Sequence, residues 1–228
     1  MIGDHVSVEM DVRQANYLRN VLRLGVGAEM LLFDGSSGEW LARIAEAGKK
    51  RMTVNVERRT RDPETIPDVW LAFAPVKRAQ TDWLVEKATE LGAARLIPLM
   101  TERTNTERVR RDRLESIAIE AAEQCGRTLL PEIAEPLTLP RLLADRNPER
   151  TLYFADEIRD GTPAARAFHE GPALIVIGPE GGFTDGERQS IRAAPNAVAV
   201  SLGPRILRAE TAALAALANY MAVTGDWR

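Results

Sequence analysis

Within six positions, Arg205, Arg208 and Glu210 put two guanidiniums and a carboxylate at the start of a helical pattern, in the stretch LGPRILRAET. The amino end of a helix favours acids, so Glu210 suits a purely structural reading and the two Arg do not. Guanidiniums placed there can hold an anion or polarise a heterocyclic base. An Arg–Glu ion pair that steadies the loop is the plainer alternative.

A second stretch, GPEGG from Gly178 to Gly182, follows an apolar run and has little side chain to offer. It offers backbone N–H and C=O groups that a flat ligand can approach closely, such as an adenine ring or an amino-acid moiety. A tight strand-to-helix turn is the plainer alternative here. Neither stretch has the G-x-G-x-x-G or G-x-x-x-x-G-K-[ST] spacing, so no pyrophosphate or triphosphate is expected. Two His and one Cys make a zinc site unexpected. Cys125 reads as a small buried helix-end residue, and His5 and His169 lie in no motif.

The elements that must position these groups change character along the chain. The first sixty-odd residues read as β-rich. MLLFDGSSGEWLARI is a hairpin turned by Asp34-Gly35 and Ser37-Gly38, and RMTVNVERR alternates as a strand with Met52, Val54 and Val56 on one face. DVRQANYLRNVLRLGVG reads as a short helix ended by Gly25, and the whole suggests a small barrel. TRDPETIPD, Thr60 to Asp68, reads as a linker, giving domains over 1–62 and 68–228.

From Val69 short apolar strands alternate with helices: VWLAFAPV, RLIPLM, TLYFAD, ALIVIG and AVAVSLG are the strands. The helices include QTDWLVEKATELGA capped by Gly92, a long one ended by Gly126, and TDGERQSIRAA with Thr184 and Glu187 as a capping box. That alternation predicts an α/β domain with a parallel sheet covered on both faces. Ligands of such sheets bind beyond the carboxyl ends of the strands, where GPEGG and LGPRILRAET both fall.

Net charge is −3, which alone argues against nucleic acid. Locally, Arg43 to Arg61 holds Arg43, Lys49, Lys50, Arg51, Arg58, Arg59 and Arg61 against Glu46 and Glu57, a net +5. Thr101 to Arg113 reaches +2. Such runs can face phosphates, though a solvated surface of mixed charge is the commoner outcome. No apolar run approaches the roughly 18 residues of a membrane span, and MIGDHVSVEM lacks the shape of a signal peptide. A single Cys points to a reducing, cytoplasmic setting.

Four motifs together resemble the RsmE family of 16S ribosomal RNA uridine-N3 methyltransferases. They are KRAQTDWLVEKATELGA, IAIEAAEQCGR with Pro131 following, IGPEGGFTDGE and LGPRILRAETAALAAL, in the family's order. YLRNVLRLGVGAEMLLFDG is similar to the family's N-terminal domain.

The resemblance implies a SPOUT-type parallel sheet with a C-terminal trefoil knot, preceded by a small PUA-like RNA-binding barrel, and a homodimer. It implies S-adenosyl-L-methionine (SAM) as cofactor, bent in the knot. GPEGG with Ile177 (Ile177, Gly178, Pro179, Glu180, Gly181, Gly182) would hold its methionine and ribose side. Leu202, Gly203, Ile206 and Leu207 would hold the adenine, and Tyr153, Phe154 and Ala155 of LYFAD would supply a third loop. The implied reaction methylates N3 of a specific uridine in the decoding region of 16S rRNA, free or in the small ribosomal subunit.

N3 of uracil is a weak acid, so a base or an anion-stabilising cation is needed. Arg205 or Arg208 would stabilise charge on O4 or O2, and Glu210 would orient the Arg or take the proton. Arg23, Lys87, Gln124 and Arg127 are candidates for substrate contact. Lys87 could instead be a snorkelling helix Lys and Gln124 a helix-end polar residue.

Three stretches depart from the family's pattern. No Arg precedes Arg13, Asn16-Tyr17 stands where the family often has a His before VLRL, and TERTNTE replaces a Ser-bearing stretch. A SPOUT enzyme acting on another RNA nucleotide, or a non-catalytic RNA-binding or ribosome-assembly factor on the same fold, are the rival readings.

Overall fold

The computed structural model describes residues 2–48, 51–105, 109–156, 158 and 160–227. Lys49, Lys50, Glu107 and Arg108, which counted in the two basic runs, lie outside the described residues. The chain folds as two compact units, Met1–Thr65 with Gly126–Leu129, and Ile66–Cys125 with Leu130–Arg228. The first unit is thus not confined to the N-terminus. Gly126–Leu129 joins it because Arg61 donates to the Gly126 carbonyl (2.7 Å) and Glu64 accepts from the Thr128 N–H (3.1 Å).

The first unit contains β1 (Ser7–Glu9), α1 (Val12–Asn16), a π-helical turn (Tyr17–Val21), β2 (Glu29–Phe33), β3 (Glu39–Ala47) and β4 (Met52–Arg61). The strands form an antiparallel sheet in the order β1-β4-β3-β2. Among the described residues β1 and β2 are not paired with each other, so the expected barrel is an open sheet. The alternation in β4 is as predicted, with Met52, Val54 and Val56 buried beside Trp40, Ala42 and Ile44 of β3 and Leu18 of the π-turn. Asp11 opens α1 with a capping box to Gln14.

Two boundaries differ from expectation. β4 runs through Thr60 and Arg61, residues read as linker, because their side chains bind Glu39 of β3. The helix stops before Gly25: Arg23 itself takes the left-handed conformation, φ 57°.

The second unit contains β5 (Val69–Phe73), α2 (Arg78–Glu90), β6 (Arg95–Met100), α3 (Arg111–Cys125), β7 (Glu132–Ile133), β8 (Leu137–Thr138), α4 (Leu139–Asp145), β9 (Thr151–Ala155), β10 (Thr162–Pro163), α5 (Ala164–Ala167), β11 (Ala173–Ile177), α6 (Asp185–Ala193), β12 (Ala197–Ser201) and α7 (Ala209–Val223). The sheet is parallel throughout, in the order β10-β12-β9-β11-β5-β6-β7, with β8 on β6.

Alternate residues of each strand feed two separate cores. Leu71, Phe73, Tyr153, Ile175 and Ile177 pack with α2, α3 and α7, while Ala72, Phe154, Leu174 and Val176 pack with α4 and α6. This is the expected sheet covered on both faces, with each large buried side chain contributing about 1.5–3 kcal/mol. Gly92 (φ 88°) and Gly126 (φ 74°) end α2 and α3 where the sequence placed them. The short elements β7, β8, α4, β10 and α5 carry too few residues for a periodic signal.

Candidate active site

β12, β9 and β11 are neighbours in the sheet, so the loops after Ser201, Ala155 and Ile177 emerge side by side. Between them lies a cleft of about 260 Å³, just below the roughly 300–1,000 Å³ common for small-molecule sites. Its walls are Ala155 and Asp156 from β9, Ile177 to Gly182 from β11, and Val200, Leu202, Gly203, Arg205, Ile206 and Leu207 from β12, with Ala209 and Ala212 of α7.

The GPEGG loop bends back on itself, with Gly182 N–H donating to the Pro179 carbonyl (2.9 Å). A side chain at Gly178 would meet the Phe183 ring at 3.0 Å, and Phe183 is itself buried beneath the loop. Arg103, from the loop after β6, donates to the Gly181 carbonyl at 2.7 Å. Glu187 accepts from the N–H of Thr184 (3.0 Å) and of Glu102 (2.8 Å), so the helix cap also ties α6 to the β6 loop. On the opposite wall Gly203 has φ 109° and a Cβ added there would meet nothing within 4 Å. Backbone is therefore presented to open space, as close approach by a flat ligand requires.

The cleft brings together the residues expected at the cofactor, except Tyr153 and Phe154. Those two are 0% and 1% exposed, one in each core, because they sit inside β9 rather than at its end. Asp156, the last residue of LYFAD, lines the cleft but is not among the site residues named from the sequence. Its side chain is fully buried, bound by Arg188 (3.0 Å) and Arg192 (3.1 Å) of α6. Its place just past a strand end is legible in the sequence, but its two partners more than thirty positions on are not.

Of the three catalytic candidates, Arg205 lines the cleft and is exposed. Arg208 is the exposed N-cap residue of α7, and it lies outside the cleft lining. Among the described residues neither guanidinium has an ion-pair or hydrogen-bond partner, so the steadying Arg–Glu pair does not form. Glu210 is buried in the first turn of α7, and its Oε2 is closed from solvent without a hydrogen-bond partner.

The other candidates divide. Lys87 is bound by Glu86 (2.8 Å) and Glu90 (2.7 Å), which hold its ammonium pKa above the usual value. Its charge is thus spent locally, and neither it nor the exposed Gln124 lines the cleft. Arg127 is 7% exposed, which leaves it little surface for RNA contact, whereas Arg23 is exposed on its left-handed turn. Cys125 is exposed rather than buried.

Of the five described Arg in the +5 run, four are paired within their own unit. Arg43 binds Glu29 and Glu57, Arg51 binds Glu9, Arg59 binds Asp62 and stacks on Trp40, and Arg61 binds Glu39. Among the described residues no cluster could hold a metal ion, and no helix is long and apolar enough to cross a membrane.

Comparison with known proteins agrees with this arrangement. A family model described as an RNA methyltransferase domain matches residues 63–221, and one described as an RNA methyltransferase PUA domain matches residues 11–57. The Ribosomal RNA small subunit methyltransferase E of Rickettsia conorii is 34% identical over 90% of this chain and 84% of its own. The protein of the same name from Synechocystis is 36% identical over 95% of this chain and 73% of its own.

Among solved structures, the Neisseria gonorrhoeae enzyme of that name, bound to S-adenosyl methionine, aligns with a TM-score of 0.90 at 28% identity over 100% of this chain and 96% of its own. A Legionella pneumophila protein solved with SAM aligns with a TM-score of 0.87 at 29% identity over 99% of this chain and 96% of its own. Two family models and relatives matched over 84% and 73% of their own length place this chain in the ribosomal RNA small subunit methyltransferase E family of RNA methyltransferases.

Proposed function

We propose that this protein methylates N3 of a specific uridine in the decoding region of 16S rRNA, with SAM as the methyl donor, as a cytoplasmic homodimer. The observation that carries the reading is the backbone-walled cleft at the adjoining ends of β9, β11 and β12, with Arg205 in its wall.

The residues present fit the cofactor. Gly178, Gly181, Gly182 and Gly203 line the cleft, Gly203 with open space at its backbone, and Ile177, Leu202, Ile206 and Leu207 supply the apolar contacts an adenine wants. When bound, SAM supplies a methyl group activated by its sulfonium. The chain's own task is position and electrostatics. Arg205 sits where it can stabilise the charge that develops on O4 or O2 as the uracil N3 loses its proton. Arg208, at the start of α7 with its guanidinium unpaired, is placed to meet an RNA phosphate. Glu210 is buried in the first turn of α7 with its Oε2 closed from solvent, so it is not an exposed base.

Two further features support the family architecture. β11 lies between β9 and β5, both formed earlier in the chain, and the 202–208 loop then shares one cleft with GPEGG; a trefoil knot is consistent with that path. α7 is apolar nearly all round, yet Thr211 and Ala222 on its outer side are exposed and Ala212, Ala215 and Ala218 half-buried. A helix of that composition is normally covered, which fits a second copy packed on it.

The test is titration of the purified protein with SAM beside Gly181→Trp, followed by mapping of methylated positions on small-subunit RNA. Binding lost in the variant and N3-methyluridine at one site support the reading. A methyl group on another atom would make it a sister enzyme, and RNA binding without SAM binding would make it a platform protein.

A further inference from the structure

We propose that Asp156 is a positioning residue that holds the cofactor cleft in shape through Arg188; this rests on the reading of the cleft as the SAM site. The Asp156 side chain is 0% exposed, so its carboxylate cannot touch a ligand in the cleft that its residue lines. It faces the other way, into α6.

There it accepts from Arg188 Nε at 3.0 Å and from Arg192 Nη2 at 3.1 Å, and its Oδ1 also accepts from the Ile158 N–H at 3.2 Å. The last contact turns the loop after β9. Arg188 in turn reaches the Phe183 carbonyl, at the end of the GPEGG loop, at 3.4 Å. One buried carboxylate therefore ties two of the three cleft loops to each other through Arg188. Arg188 is itself only 12% exposed, so removing Asp156 would take a fully buried carboxylate from a largely buried guanidinium.

Another partner of each Arg, Asp185 for Arg188 and Asp160 for Arg192, is different in kind. Asp185 and Asp160 are exposed, and pairs of that kind contribute little. They provide controls on the same two guanidiniums.

The experiment is SAM titration and steady-state kinetics on the full chain. Asp156→Asn keeps the shape and removes the charge. The expected result is a Kd and KM for SAM raised about tenfold, the equivalent of about 1.4 kcal/mol, with KM for RNA and kcat at saturating SAM within twofold of the parent. Arg188→Gln should give the same shift, and the double variant no more than either alone, as a shared brace requires. Asp160→Asn should change nothing.

A general loss of packing would lower kcat and the unfolding midpoint without singling out SAM. If Asp156→Asn does not fold, Arg188→Lys carries the test: it keeps the charge beside Asp156 but cannot also span to Phe183, and should raise the SAM Kd about threefold. Unchanged SAM affinity in the folded variant overturns the proposal alone. Failure of the parent protein to bind SAM overturns it together with the functional reading.

Discussion

The two ends of the parallel sheet are built by opposite rules. At the amino ends, long side chains close the structure. Arg150, just before β9, donates to the carbonyls of Asp68 and Ala173 (both 3.0 Å) and to the Asp68 carboxylate (2.7 Å), and lies 3.7 Å over the Trp70 ring. Arg146 donates to the carbonyls of Arg150 and Pro195. Two buried guanidiniums thus join the starts of β5, β9, β11 and β12. At the carboxyl ends of the same strands, glycine and small residues leave the backbone facing a cleft. A sheet locked at one end can leave the other end open without losing its register.

The contrast can be broken most forcefully at the locked end. Arg150→Met should lower unfolding free energy by about 3 kcal/mol, the cost of stripping a buried charged group from its acceptors. SAM affinity measured well below the melting midpoint should stay within threefold. A large loss of affinity would show that the two ends are not independent.

At the open end the reverse is expected. Gly203→Val forces a branched side chain to φ 109° and into the cleft. SAM affinity should drop on the order of 100-fold from lost room, while backbone strain of about 1–3 kcal/mol, present with or without ligand, lowers the unfolding midpoint by roughly 2–12 °C. Arg205→Ala refines the comparison within the cleft itself. It should lower kcat about tenfold and leave SAM affinity unchanged. That is less than the roughly 10²–10³-fold cost of a buried donor, because Arg205 is exposed and solvent screens it.

The smallest effect extends the locked-end rule to the other unit. The turn after β2 is held by one carboxylate, Asp34, which accepts from the N–H of Ile2 (2.8 Å), Ser36 (2.9 Å) and Ser37 (2.7 Å). Burial alone would raise the Asp34 carboxyl pKa, but these bonds outweigh it and hold it well below the usual carboxylate range. A folded-state pKa that is depressed contributes stability above the unfolded value of about 3.9, and that stability is lost as pH falls below it. Asp34→Asn should therefore destabilise by about 1 kcal/mol at neutral pH. Urea melts should show the gap to the parent closing as pH falls from about 4 toward 2.

Much of this protein is determined by sequence alone. The periodicity of β4, the capping box at Thr184 and Glu187, and the Gly that end α2 and α3 are local signals, and each lands where its residues predicted. GPEGG and LGPRILRAET are legible as strand-end loops because chain order alone puts them after apolar runs. Other features depended on long-range pairing. Nothing local joins Asp156 to Arg188, Arg103 to Gly181 or Gly126 to Arg61, and nothing local pairs the +5 run with Glu9, Glu29 and Glu39. Likewise, Tyr153 and Phe154 differ from Ala155 only in their depth within the sheet. Charge partners, burial and the neighbours of a strand depend on how distant segments meet, and only the tertiary structure decides that.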